Sequence, residues 1–103
     1  MGFLNGDINE GVIRCRETAG AVLLDVRTAE EYAGGHIPGS VNVPLQAILK
    51  VQDVIPDKNT PVFTYCASGM RSLQASGYMK KKLGYTAVEN IGGIQDYTGE
   101  IEK

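Results

Sequence analysis

The residue with the most chemistry to offer is Cys66, in the run Cys66-Ala67-Ser68-Gly69-Met70-Arg71. Sulfur is a nucleophile as thiolate, and an unperturbed cysteine, with a pKa of ~8.5, is mostly protonated at neutral pH. The surroundings of Cys66 favour the anion. It directly follows a strand-like run, Pro61-Val62-Phe63-Thr64-Tyr65, and directly precedes a segment with helical spacing. Successive N–H groups in a tight loop can turn inward as an anion-binding nest, and a helix N-terminus adds about half a positive charge. Arg71 supplies a cation, and Gly69 removes a Cβ where the chain must bend sharply. An average cysteine is a buried small hydrophobe. Loop position, glycine and arginine together argue instead for a reactive sulfur.

Other polar residues read as structural. Asp25, Arg27 and Glu31 sit at a strand end and a helix start, where capping and ion pairing outweigh acid–base work. His36, the only histidine, precedes Ile37-Pro38-Gly39 and reads as a hydrogen-bonding loop residue. Cys15 is expected to pack near Val12 on the first helix. The two cysteines have no Cys-x-x-Cys spacing, so neither a metal site nor a dithiol redox pair is expected. Lys80-Lys81-Lys82 complements the C-terminal end of a helix dipole.

The elements that must position Cys66 follow from periodicity. Residues 21–26 form a nearly continuous apolar run without alternation, the pattern of a strand covered on both faces. Residues 61–65 predict a second strand and 86–90 a weaker third; Val41-Asn42-Val43, caught between Pro38-Gly39 and Pro44, allows only a brief one. Helical spacing marks residues 9–18, 28–33, 45–51 and 71–83, the last with Ala75, Met79 and Leu83 on one face and Gly84 at its cap. Strands alternating with helices imply an α/β fold, a mainly parallel central sheet with helices on both faces. In such a sheet ligands bind beyond the carboxyl ends of the strands, where the Cys66 loop lies.

Composition bounds the rest. At 103 residues, with 43% hydrophobic and 21% charged residues, the chain predicts a single domain over residues 1–103 with one buried core. A net charge of -2 offers no basic stripe for nucleic acid. No apolar run approaches the ~20 residues of a membrane span. The N-terminal residues show no export signal, so a cytoplasmic protein with reduced thiols, no membrane association and no cofactor is expected.

Beyond these readings stands a resemblance. Val22-Leu23-Leu24-Asp25-Val26-Arg27, then Glu30-Glu31-Tyr32, then Gly35-His36-Ile37-Pro38-Gly39-Ser40-Val41-Asn42-Val43-Pro44 is similar to the N-terminal signature of rhodanese domains. Cys66-Ala67-Ser68-Gly69-Met70-Arg71-Ser72 resembles that family's active-site loop, and Gly92-Gly93-Ile94 its C-terminal glycine motif. The resemblance spans nearly the whole chain. It implies a sulfurtransferase in which Cys66 takes the outer sulfur of a small-molecule donor, thiosulfate or a persulfide, and passes it to a thiol or cyanide acceptor or into a sulfur-relay protein. It also implies that backbone amides of Ala67, Ser68, Gly69, Met70 and Arg71 cradle that sulfur. Two positions depart from the family pattern: Ala67 stands where arginine often follows the cysteine, which weakens the case for thiosulfate, and Tyr97 stands in place of a tryptophan. The alternatives are an oxyanion enzyme of the cysteine phosphatase or arsenate reductase kind, whose loops carry one residue more than the four between Cys66 and Arg71, and a non-catalytic rhodanese interaction module, a class that commonly lacks the cysteine.

Overall fold

A computed structural model describes residues 7–103. Residues 1–6, which bear on the export-signal reading, lie outside the described residues. Strands β1 (Val22–Asp25), β2 (Val41–Asn42), β3 (Val62–Cys66) and β4 (Val88–Gly93) form one sheet in the order β2-β1-β3-β4, with every neighbouring pair parallel. Around it lie helices α1 (Ile8–Glu17), α2 (Ala29–Ala33), α3 (Val51–Val54) and α4 (Met70–Lys81), with 3-10 turns at Leu45–Lys50 and Ile94–Asp96. Among the described residues, no helix is long and apolar enough to cross a membrane.

Alternation along the strands divides the core between the two faces of the sheet. Leu24, Val62 and Cys66 pack with Ala75 and Met79 of α4, whereas Leu23, Phe63 and Tyr65 pack with Ile8, Val12 and Cys15 of α1. The two cysteines therefore lie on opposite faces. All five residues of β3 are buried, as a central strand with both faces covered requires.

Helix α4 spans Met70–Lys81 rather than 71–83, ending before Leu83, β1 is shorter than 21–26, and three further elements differ from the sequence expectation. β3 runs one residue further, into Cys66, because Cys66 pairs with Gly93 of β4. β4 covers Val88–Gly93 rather than 86–90, so the glycine pair belongs to the sheet. Residues 45–51 are a 3-10 turn broken at Ala47, followed by α3, rather than one helix.

Strand order places the site. The chain leaves β1 outward to β2, then returns to β3 on the other side, so the loops after β1 and β3 diverge at the carboxyl ends of adjacent central strands. That reversal is where open α/β sheets form ligand crevices. Cys66 ends β3 at this point.

Candidate active site

Cys66 is 1% exposed, and its sulfur is surrounded by donors. The N–H of Gly69 donates to Sγ at 3.0 Å, and the N–H and Oγ of Ser72 each lie 3.4 Å away. Helix α4 has Gly69 as its N-cap, with no side-chain cap, so the sulfur serves as the acceptor that a capping oxygen would otherwise provide. The helix start and the Cys66 sulfur are thus one structure.

Burial pushes the Cys66 thiol up, but hydrogen bonds from the Ser72 hydroxyl, the Ser72 and Gly69 N–H groups and the Ser68 N–H more than offset it. The net direction is down, toward thiolate. Cys15 shows the opposite outcome: burial pushes it up to about 11, toward the thiol, and it packs with Ile8 and Val12.

The loop takes its shape from glycines in two elements. Gly69 adopts φ 101, a left-handed conformation that side chains disfavour. A Cβ on Gly93 would lie 2.3 Å from the Ala67 carbonyl oxygen and 2.6 Å from Ser68 Cα, so β4 can touch the loop only through glycine. The Ala67 carbonyl also accepts from the Gln95 N–H at 3.2 Å. A β-bulge, in which Thr64 faces Asn90 while Tyr65 faces Gly92, brings that glycine pair under the loop.

Of the loop residues expected from sequence, Gly69 donates its N–H to Sγ, and the Ser68 N–H adds to what holds the thiol down. Met70 and Arg71 are the first two residues of α4, whose N–H groups have no acceptor within the helix. Met70 is a rim residue, 65% exposed. Ala67 presents its carbonyl to Gln95 and brings no charge. Arg71 is held by Glu31 through bonds of 2.8 and 3.0 Å. Ser72 and Asn90 were not anticipated as site residues. Asn90 accepts from the Ser72 hydroxyl at 2.6 Å and donates to the Gly69 carbonyl at 3.2 Å. A polar amide beside a glycine pair was the available signal, masked because a strand residue reads as framework.

The other polar residues singled out from sequence make contacts within the fold. Arg27 grips Asp25 through its Nε and a terminal nitrogen at 2.8–3.1 Å, and Asn42 donates to the Asp25 and Arg27 carbonyls. Glu31 completes a capping box with Thr28 at the start of α2. His36 stacks on Tyr32 with ring centroids 3.8 Å apart, and its Nδ1 lies 2.8 Å from the Tyr32 carbonyl.

Comparison with known proteins agrees with this fold. A family model described as a rhodanese-like domain matches residues 10–100. The chain is 40% identical over 74 residues to the thiosulfate sulfurtransferase PspE of Escherichia coli, covering 71% of this chain and 70% of that protein. It is 41% identical over 81 residues to the putative sulfur carrier protein YrkF of Bacillus subtilis, covering 78% of this chain but only 43% of that protein. Among solved structures, a rhodanese with anions from E. coli superposes with a TM-score of 0.74 at 37% identity, covering 81% of this chain and 98% of the other. The family model matches most of the chain, and a relative 40% identical is covered over 70% of its length; the chain belongs to the rhodanese-like domain family.

Proposed function

We propose that this protein moves a sulfane sulfur through a persulfide on Cys66. The observation that carries the reading is the buried Sγ ringed by the Gly69 and Ser72 N–H groups at the start of α4. A thiolate there attacks the outer sulfur of a donor. With thiosulfate, the new Cys66 S–S bond forms as the donor's S–S bond breaks, and sulfite departs with the electron pair. The negative charge then resides on the outer sulfur, where the open N–H groups of Met70 and Arg71 and the α4 dipole stabilise it. A thiol or cyanide acceptor next takes that outer sulfur, and the Cys66 thiolate is regenerated.

Two observations shape the donor and acceptor classes. Ala67 supplies no cation beside the sulfur, and Arg71 already has a carboxylate partner in Glu31. A sulfonate group would therefore find little uncompensated positive charge, and persulfide donors suit the site better than thiosulfate. The relative named as a putative sulfur carrier protein supports a role in a sulfur relay, with protein thiols as donor or acceptor.

Intact-mass measurement after exposure to thiosulfate or a small persulfide tests the reading. Wild type and Cys15→Ser are expected to gain one sulfur that a thiol or cyanide removes, and Cys66→Ser to gain none. A folded Cys66→Ser variant that still carries the sulfur would overturn the assignment.

A further inference from the structure

The Ser72 hydroxyl has one proton and three acceptors within reach: Asn90 Oδ1 at 2.6 Å, the Gly69 carbonyl at 3.2 Å and Cys66 Sγ at 3.4 Å. Hydroxyl bonds to oxygen are best near about 2.7 Å, so the proton rests on the Asn90 side. The amide of Asn90 cannot turn over to become the donor. Its Nδ2 donates to the Gly69 carbonyl at 3.2 Å and its Oδ1 accepts from the Gly92 N–H at 3.2 Å. Reversal would set carbonyl against carbonyl and N–H against N–H. Oδ1 is thus a fixed acceptor, held by β4 at the bulge.

This orientation of the hydroxyl suits a protonated sulfur and opposes the ionised one that the Gly69 and Ser72 N–H groups favour. With the hydroxyl proton on Asn90, Ser72 turns a lone pair toward Cys66, which can accept an S–H but repels a thiolate. A thiolate needs the hydroxyl turned toward it.

We propose that Asn90 is a positioning residue that competes with Cys66 for the single Ser72 proton, and so sets how readily Cys66 ionises. While Cys66 is a thiol, the hydroxyl points to Asn90; when the thiol proton leaves to water, the hydroxyl rotates to Sγ. No covalent bond changes in this step. The proposal rests on the reading of Cys66 as a reacting thiolate.

Other groups around the sulfur do not make this exchange. The Gly69 and Ser72 N–H groups are fixed donors. Arg71 of α4 carries a charge paired with Glu31 of α2, and Asp25 and Arg27 at the end of β1 pair with each other. On β4 the neighbouring Glu89 pairs with Arg14 of α1, and the segment preceding β3 contributes apolar Ile48 and Val51 to this core.

The test is an ultraviolet titration of the Cys66 thiolate in a Cys15→Ser background, so that one thiol is read. Ser72→Ala removes the mobile donor and should raise the Cys66 pKa by about one unit, about tenfold less thiolate at a given pH below it. Asn90→Leu removes the competing acceptor and should lower the pKa, giving about threefold to tenfold more thiolate. Asn90→Ala should shift it the same way, and serves if leucine does not fold. Combined with Ser72→Ala, neither Asn90 substitution should move the pKa further. A rise or no change in the folded Asn90 variants overturns the proposal, as does a shift that persists without the Ser72 hydroxyl. Titration does not depend on sulfur transfer, so failure of that reading would appear separately, as wild type gaining no sulfur by mass.

Discussion

Arg71 and Glu31 form a bidentate ion pair across the reversal of strand order, with N···O distances of 2.8 and 3.0 Å. Glu31 follows β1 and Arg71 follows β3, so the pair ties together the two loops that diverge at the site. From the sequence, Arg71 is expected as the cation beside the cysteine and Glu31 as a helix-start residue. The structure joins the two: the arginine's forked donors are turned to the Glu31 carboxylate rather than to the Cys66 sulfur.

Releasing Arg71 should therefore favour anionic donors. Glu31→Gln keeps a side chain of similar shape but removes the compensating charge, and kcat/KM for thiosulfate is expected to rise by about threefold to tenfold, the gain of a charge-assisted contact worth about 1 kcal/mol. Parallel assays with thiosulfate and an uncharged persulfide donor decide the matter. An equal rise for both would place the effect on Cys66 ionisation instead of donor recognition.

The same pair predicts a pH dependence of stability. The Arg71 guanidinium, then the Thr28 N–H, hold the Glu31 carboxyl down at about 2, below its ordinary 4.5. A depressed folded value means that its contribution is complete above the unfolded pKa and is lost as pH falls through about 4.5 toward 2. Urea midpoints measured over that interval should decline less steeply for Glu31→Gln than for wild type. Parallel slopes would show that the pair does not couple folding to protonation.

A third expectation concerns Gly93. Any Cβ there meets loop backbone at 2.3 Å, which no side-chain rotation relieves. Gly93→Ala should destabilise the fold by roughly 2–4 kcal/mol or displace the Cys66 loop, and in either case reduce sulfur loading. Thermal unfolding together with intact mass reads both. An alanine variant with unchanged stability and loading would mean that β4 does not brace the loop.

Ala67 provides the last. An arginine beside Cys66 would add a cation that Glu31 does not already hold, and Ala67→Arg is expected to raise kcat/KM for thiosulfate by about tenfold, with little gain for an uncharged persulfide. Steady-state rates with both donors check this; no gain with thiosulfate would remove Ala67 as the reason for donor preference.

Much of this protein is determined locally and so is legible in the chain itself. The apolar run containing Val22, Leu23 and Leu24 demands burial on both faces, and the Ala75, Met79 spacing demands a helix over a sheet. Cys66 between a strand and a helix with Gly69 and Arg71 is a short-range pattern, complete within six residues. Tertiary structure decided what depends on residues distant in sequence. Whether Arg71 stays free or pairs was settled by Glu31, forty residues away, arriving from the loop after β1. That Ser72 has a rival acceptor was settled by Asn90 on β4, whose bulge sets which side chains face α4. Periodicity reports which face of an element is buried; it carries no information on which two polar groups from separate elements meet, because parallel pairing and crossover packing bring them together only when the whole sheet has formed.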